Sequence, residues 1–410
     1  MRRTSEEAER RLRGLFASRF GKAAGPFVLA SAPGRVELAG NHTDHQGGRT
    51  LSAAIAQRAH ALAAPNGTDE IRVLMDEFGE GVVRLGELDA RAAERGGSLA
   101  LVRGMAAAYA RAGGDLRGFD LVTCSDIPVG RGVSSSAAFE MLVGATLRAV
   151  CEPAGGGAFD PVALALQGQW AEDVYFGKPT GAQDQLASAC GGVVALDFAG
   201  AVPRVEPVAF DLAACGHEAF LVDSRCDHSR HTDEFNAIPA DMFAVARHFG
   251  RERLEDVPYD VFLSRLADAR AALGDRAVLR ALHYFEETRR VRAQQRALEA
   301  GAFAEFLRLV RASGASSAQF LQNVSPRGDG SGADQPAAIV LALCAQVLDG
   351  AGGGAGACRI HGGGFGGSVL AFVPNERAAA FRARLDELLG YEACMPVKIS
   401  PQGACAEGIG

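Results

Sequence analysis

The length, composition and charge of the 410-residue chain already narrow the class of protein. Domains typically contain about 100–200 residues, so two domains are expected. Hydrophobic residues make up 48% and charged residues 22%, which excludes a mostly disordered chain, a coiled coil and a collagen-like repeat. The formal net charge is −7 and there is no basic run, so we expect binding neither to nucleic acid nor to an anionic membrane surface.

The N-terminal segment and the cysteines favour a cytoplasmic protein. No apolar stretch approaches the ~20 residues that cross a bilayer, and MRRTSEEAERRLRGLF lacks the apolar core of a signal peptide. This segment is typical of an amphipathic helix with Thr4 as N-cap and Glu7 completing a capping box. The nine cysteines are scattered without a C-x-x-C pair, which favours reduced thiols over disulfides or structural zinc. The sequence does not fix the oligomeric state, and a monomer is favoured.

Strand and helix signals alternate along the first half of the chain. Phe27–Ala39 predicts a strand, a Pro-Gly turn and a second strand, whereas Thr50–Gln57 predicts a helix. The remaining strands are predicted at Ile71–Leu74, Val82–Leu85, Phe119–Cys124 and Gly191–Phe198, and the helices at Ser98–Ala112, Ser134–Val150 and Pro161–Val174. The helix at Ser134–Val150 is apolar on nearly every side, which predicts burial.

The second half contains two long helical segments, Ala277–Ala300 and Phe303–Arg311, followed by β-like ends around the glycines of Ala357–Val373. Two polar connections, Ala199–Cys215 and Ser325–Pro336, are candidate hinges. A further glycine-rich patch covers Gly350–Gly356.

A loop between a predicted strand and the predicted buried helix carries the sharpest functional signal. It contains Gly130, Arg131, Gly132, Val133, Ser134, Ser135 and Ser136. Glycines allow close backbone approach to an anion, and a helix start offers unpaired N–H groups and a positive dipole end. The loop therefore predicts phosphate binding, although it lacks the Gly-Lys-Ser/Thr of the common P-loop. The alternative is a serine-capped helix after a turn.

A second polar group follows an apolar strand and contains Arg35, Asn41, His42, Thr43 and Asp44. Such a loop offers several directional donors and acceptors, as a hydroxyl-rich substrate requires. Each residue also has a structural alternative, such as a helix cap, a satisfied loop histidine or a turn. A metal site at His42 and His45 is disfavoured because no third ligand is spaced to join them.

Two carboxylates and a glycine-rich segment complete the set. Glu172 falls near a helix end and Asp184 follows a Pro-Gly loop; magnesium-dependent phosphoryl transfer uses one carboxylate for the ion and one near the attacking hydroxyl. Solvated acidic residues at helix ends are the alternative. Cys358–Ser368 contains five glycines around Phe365, which allow tight backbone approach or simply form a hairpin turn.

Taken together and in this order, the four segments resemble the GHMP kinase superfamily and, within it, the galactokinase family. The resemblance covers roughly Pro26–Pro374, with Pro33–Asp44 similar to the sugar signature, Pro128–Ala138 to the ATP loop and Gly362–Gly367 to the C-terminal glycine motif. It implies an α+β fold with a domain like ribosomal protein S5 domain 2 at 1–212, a ferredoxin-like domain at 213–410 and an active site between them.

The resemblance also implies an ATP- and Mg²⁺-dependent kinase for the anomeric hydroxyl of a small sugar, galactose first. Asp184 would be the catalytic base, and Arg35 would keep it ionised and stabilise charge on the phosphoryl group. Ser136 and Glu172 would bind Mg²⁺, and residues 130–136 would wrap the ATP phosphates. The sugar would be bound by Asn41, His42, Thr43, Asp44 and Phe235.

Two residues depart from the family pattern. Galactokinases commonly carry glutamate where this chain has Asn41 and tyrosine where it has Phe235. An amide donates as well as accepts hydrogen bonds, and Phe235 lacks the hydroxyl. Two alternatives therefore stay open: a kinase for another hexose, an amino sugar or a pentose, and a non-catalytic sugar sensor.

Overall fold

Two β-sheets with helices around them form the protein in the computed structural model. The structure describes residues 2–76, 78–128, 130–152, 160–178, 181–226, 231–326, 334–350 and 355–409. The strands are β1 Phe27–Ala39, β2 Arg49–Pro65, β3 Glu70–Met75, β4 Gly79–Arg84, β5 Phe119–Ser125, β6 Val193–Asp197, β7 Arg204–Val208, β8 His217–Asp223, β9 Ala357–Ile360, β10 Ser368–Pro374, β11 Cys394–Val397 and β12 Cys405–Ile409.

Helices surround the two sheets in the described residues. They are α1 Arg2–Phe20, α2 Ser98–Arg111, α3 Ser135–Cys151, α4 Pro161–Ala171, α5 Gln183–Cys190, α6 Thr232–His248, α7 Tyr259–Ser264, α8 Leu266–Leu273, α9 Asp275–Glu299, α10 Phe303–Ser316, α11 Pro336–Asp349 and α12 Asn375–Leu389. The predicted helices over 98–112, 134–150, 161–174, 277–300 and 303–311 agree with α2, α3, α4, α9 and α10. The predicted N-cap is wrong, because α1 begins at Arg2 and Thr4 lies inside it.

The first sheet has eight strands in the described residues, in the order β12-β1-β2-β5-β3-β4, with β6 paired to β2 and β7 paired to β6. All pairs are antiparallel except β3 with β5. Successive residues of β2 face opposite sides: Ala61 packs in the main core, whereas Leu62 packs under α1 beside Leu12 and Phe16. The sheet is thus covered on both faces.

Two predictions in this sheet are wrong. The segment predicted as a helix at Thr50–Gln57 belongs to β2, where pairing with both β1 and β6 outweighs the helix propensity of its alanines. The Pro-Gly pair does not turn the chain, since β1 continues through it with a shift of register between Pro33 and Arg35. Proline is tolerated in a strand at such an irregularity.

The second sheet has the order β11-β8-β10-β9, all antiparallel. With its intervening helices this is the βαββαβ arrangement of a ferredoxin-like layer. One face, including Val222 and Val369, packs on α11 and α12, whereas Leu221 and Leu370 on the other face join the core of the first sheet. The two sheets therefore share one apolar interior.

The candidate hinges are described only in part. Ala199–Cys215 contains β7, which pairs with β6, so part of this candidate hinge belongs to the first sheet. Within Ser325–Pro336, residues 327–333 lie outside the described residues, as do residues 351–354 of the Gly350–Gly356 patch. The domain division at residue 212 stays a prediction.

The described helices include none that is long and apolar enough to span a membrane. The nine cysteines, which all lie in the described ranges, are free thiols.

Arg58 on β2 anchors the segment that leads into the last strand. Its buried guanidinium donates hydrogen bonds to the carbonyl oxygens of Gln402, at 2.9 Å, and Gly403, at 2.7 Å. We expect Arg58→Ala to lower the free energy of unfolding in urea by about 2–4 kcal/mol, because it leaves buried carbonyls without donors. The control Arg84→Ala removes an exposed ion pair with Glu70 and should change it by less than about 0.5 kcal/mol. Equal effects of both substitutions would contradict this role.

Candidate active site

A bidentate ion pair lies at the centre of the site. Arg35 on β1 donates from Nε to Oδ1 of Asp184, at 2.7 Å, and from Nη2 to Oδ2, at 2.8 Å. Burial disfavours the charged form of Asp184, but the charge and hydrogen bonds of Arg35 outweigh it and lower the pKa of the carboxyl. Asp184 lies in the first turn of α5, and its side chain is 32% exposed, so the carboxylate is ionised and accessible.

The predicted phosphate loop leads directly into α3 beside this pair. Gly130 and Gly132 have φ values of +80° and +74°, which favour glycine, and the first N–H groups of α3 have no acceptor within the helix. Arg35 also donates from Nη1 to the carbonyl of Gly132, at 2.5 Å. The hydroxyl of Ser134 donates to Asp184. These hydrogen bonds therefore hold the phosphate loop in a fixed position relative to the Asp184 carboxylate.

Ser136 and Glu172 meet at the start of α3. The Ser136 hydroxyl donates to Oε1 of the buried Glu172, at 3.2 Å, and Lys178 Nζ lies 3.6 Å from the same oxygen. Hydroxyl and carboxylate oxygens are the hard ligands that Mg²⁺ takes together with substrate phosphates. The set fits Mg²⁺, although within the described ranges no group of three His, Cys, Asp or Glu side chains could hold a metal ion by itself.

A second buried carboxylate, Glu140, lies next to Glu172. Gln185 Nε2 donates to both, at 2.9 Å each. Burial and the charge of Glu172 raise the pKa of Glu140 well above its usual range. Burial beside a second carboxylate thus favours the neutral form of Glu140.

The residues of the sugar signature divide into two groups. Asn41 and Thr43 are fully buried, and their side chains form hydrogen bonds within the protein. The Thr43 hydroxyl donates to the carbonyl of Arg49, at 2.7 Å. The Asn41 amide accepts from Asn323, at 2.7 Å, and donates to Glu37, at 3.3 Å. Contact of Asn41 and Thr43 with a sugar stays a prediction.

His42, Asp44 and Phe235 lie closer to the open part of the site. The ring centroids of His42 and Phe235 are 5.1 Å apart, and Phe235 packs on Gly363, where a Cβ would lie 2.1 Å from the ring. Asp44 is half-buried and packs on Gly181, where a Cβ would overlap Oδ2 of Asp44. Burial, together with the negative charge of Asp184, raises the pKa of Asp44 to about 6. Burial lowers the pKa of His42 to about 4.

Behind these residues lies a buried polar network that we did not predict. Glu37 pairs with Arg359 and accepts from Gln183 Nε2, at 3.2 Å. Ser313 donates to Glu287, at 2.6 Å, and accepts from Arg359, at 2.9 Å. Burial opposes ionisation of Glu37, but the positive charges of Arg359 and Arg35 outweigh it and lower the pKa of Glu37. The signal was a charged residue in each of two apolar strands, Glu37 in β1 and Arg359 in β9.

Comparisons with known proteins identify the families to which this chain is similar. A family model described as the galactokinase galactose-binding signature matches residues 14–65, and one described as the GHMP kinases N terminal domain matches residues 100–192. The fold is similar to that of an L. major mevalonate kinase in complex with R-mevalonate, with a TM-score of 0.60, 16% identity and coverage of 93% of this chain and 99% of that one. Fold and site together define a GHMP kinase.

Two further similarities narrow the family. The chain is 32% identical to a galactokinase of Streptomyces coelicolor over 362 residues, 85% of each protein. It matches the Lactococcus lactis galactokinase complexed with galactose with a TM-score of 0.79, 25% identity and coverage of 97% of this chain and 99% of that one. The chain belongs to the galactokinase family and is a sugar kinase. The predicted α+β fold, family and enzyme class are thereby confirmed.

The contact between Asn41 and Glu37 restricts what residue 41 can be. Asn41→Glu, which restores the usual family residue, places a second buried carboxylate beside Glu37. We expect a loss of about 3–5 kcal/mol in the free energy of unfolding, the typical effect of an uncompensated buried charge. The double variant Glu37→Gln/Asn41→Glu, with one negative charge again, should recover at least half of that loss in urea unfolding. Additive effects in the double-mutant cycle would contradict the coupling.

Proposed function

We propose that this protein transfers the γ-phosphoryl group of ATP to the anomeric hydroxyl of galactose, giving galactose 1-phosphate and ADP, in the cytoplasm. The observation that carries the proposal is the ionised Asp184, held by Arg35 beside a glycine- and serine-rich loop at the start of α3. It unites a candidate base, a cation and a phosphate-binding element in one place.

The nucleotide would bind along residues 130–136. Gly130, Arg131, Gly132 and Val133 would present backbone to the phosphates, and Ser134 and Ser135 lie where α3 offers its N–H groups and the positive end of its dipole. Ser136 and Glu172 would hold Mg²⁺, which when bound neutralises charge on the β- and γ-phosphates.

Asp184 would accept the proton of the anomeric hydroxyl as that oxygen attacks phosphorus. Its lowered pKa makes it a weak base, so catalysis depends mainly on position and charge. Arg35 fixes the orientation of Asp184 and stabilises the phosphoryl oxygens.

The sugar would occupy the space next to Asp44, His42 and Phe235. The carboxylate of Asp44 would accept from sugar hydroxyls, and the neutral His42 would contact them by the face not used by Phe235. Asn41 and Thr43 hold the loop in shape and complete this end of the site.

The proposal is tested by ADP release from ATP and Mg²⁺ with galactose, glucose, N-acetylgalactosamine, arabinose, fucose and no sugar. Turnover confined to galactose supports the proposal. Turnover on a different sugar would contradict the substrate and assign specificity to Asn41 and Phe235. Sugar binding without turnover would indicate a sensor.

We expect Asp184→Asn and Asp184→Ala to lower kcat by about 10²- to 10⁴-fold, the usual contribution of a general base together with its positioning. Circular dichroism and thermal melting should show a folded protein in both variants. Asp115→Ala, which removes a carboxylate with 86% exposure, is the matched control and should keep normal activity. Near-normal kcat in either Asp184 variant would remove this residue from the mechanism.

The pH dependence should separate sugar binding from chemistry. Asp44 has a pKa of about 6, so it gains a proton and loses the negative charge that strengthens its hydrogen bonds to sugar hydroxyls as the pH falls below 6. Below pH 6 we expect the KM for galactose to rise by up to about tenfold for each unit by which the pH falls. Asp184 has a lowered pKa and stays ionised, so kcat should remain flat from pH 5 to 8.

Asp44→Asn is the matched variant for this profile. It should raise the KM at neutral pH and remove the rise on the acid side. The lowered pKa values of His42 and His45, about 4 and 3, keep both rings neutral over this range. An acid limb that persists in Asp44→Asn would therefore contradict the assignment to Asp44.

A further inference from the structure

One histidine of the glycine-rich segment carries a hydrogen-bond donor that has no role so far. His361 follows β9 and is 3% exposed. Its Nε2 accepts the backbone N–H of Glu37, at 3.0 Å. Because a backbone N–H can only donate, Nε2 carries no proton, and the neutral ring carries its proton on Nδ1.

That Nδ1–H group is buried and has no partner among the residues that the structure describes. Burial of an unpaired donor is unfavourable, and such groups are rare in native proteins. In a kinase, a donor of this kind at the phosphate loop is explained if the substrate supplies the acceptor.

The direction of the ring identifies the place where that acceptor would lie. A Cβ on Gly132 would lie 3.5 Å from Nδ1 and 3.9 Å from Cε1, so this edge of the imidazole faces Gly132 of the phosphate loop. The carbonyl of Gly132 accepts from Arg35, which holds Asp184. The unused donor therefore lies beside the groups that handle the transferred phosphoryl group.

The ring stays neutral in this position. Burial, followed by the charge of Arg35, lowers the pKa of His361 to about 3. The imidazole can thus donate from Nδ1 and accept at Nε2 throughout the neutral pH range without becoming a cation.

We propose that Nδ1–H of His361 donates a hydrogen bond to a non-bridging oxygen of the phosphoryl group in transfer. This inference rests on the ATP-dependent reaction proposed above. His361 thereby joins Arg35 in stabilising the charge that is carried by those oxygens. A neutral donor adds this stabilisation without repelling Arg35.

Two conservative variants test the donor role of Nδ1 and the acceptor role of Nε2 separately. The amide of asparagine reaches the position of Nδ1, whereas the amide of glutamine reaches that of Nε2. His361→Gln should keep the acceptor for Glu37 but lose the donor, so we expect kcat with ATP to fall by about 10- to 100-fold. The KM for galactose and the melting temperature should change little. His361→Asn should keep the donor and retain kcat within about fivefold, with a lower melting temperature.

A thio-substitution measurement adds a readout that a merely structural role would not change. Sulfur is a poor acceptor, so replacing ATP with ATPγS should slow the wild-type protein more than His361→Gln. His248→Asn, which alters a histidine paired with Asp268 away from the loop, is the control for both measurements. The inference is overturned if His361→Gln keeps normal kcat and the wild-type ratio of ATP to ATPγS rates.

Ring ¹⁵N spectra test the proposal without turnover. We expect Nδ1 of His361, assigned by its loss in His361→Gln, to be protonated in the free protein and to shift when the Mg²⁺ complex of a non-hydrolysable ATP analogue binds. Binding that leaves this resonance unchanged, or a proton on Nε2, would overturn the inference alone. Absence of both nucleotide binding and turnover in the wild-type protein would instead contradict the proposed function, and this inference with it.

Discussion

The active site depends on one buried ion pair, Glu37 with Arg359, that joins the two sheets. Glu37 lies on β1 of the first sheet and Arg359 on β9 of the second, and the Arg359 side chain is fully buried. A buried charge is tolerated only when an opposite charge and hydrogen bonds compensate for its loss of hydration. Each group has further partners, Asn41 and Gln183 for Glu37 and Ser313 for Arg359. The pair therefore fixes the position of one sheet relative to the other.

This constraint determines where the candidate catalytic groups point. Residues two apart on a strand share a face, and Arg35, Val36 and Glu37 pair with β2 in regular register. Arg35 therefore lies on the same face of β1 as the buried Glu37, and its side chain points towards Asp184. The backbone N–H of Glu37 also orients the ring of His361, so one strand residue positions a side chain from each sheet.

The motif resemblance predicted the fold class and the central contact of the candidate site, whereas local propensity was less accurate. Asp184 and Arg35 are 149 positions apart, yet the motif resemblance paired them correctly, and the structure places them in bidentate contact. Local propensity failed where pairing decided the structure: the alanines of Thr50–Gln57 resemble a helix, but their segment lies between two strands.

The buried network was missed for a different reason. Glu37 and Arg359 appear as isolated charges in apolar strands, and no pattern of spacing indicates that two strands 322 positions apart will meet. Sequence periodicity indicates which face of a helix or strand is buried. It does not indicate which other helix or strand packs against that face. For the same reason, the sequence did not predict that the side-chain amide of Asn41 forms hydrogen bonds with Glu37 and Asn323.

The balance of charge at the site explains how an amide can stand where the family usually has a carboxylate. Glu37 already supplies a negative charge at hydrogen-bond distance from residue 41, and Arg359 neutralises it. Another carboxylate there would lack a cation of its own. Because Asn41 is enclosed in this network, the proposed function assigns discrimination between sugars to the half-buried groups in front of it, Asp44 and Phe235. The proposal thus assigns phosphoryl transfer and sugar choice to different residues, so that the first can stay constant while the second varies.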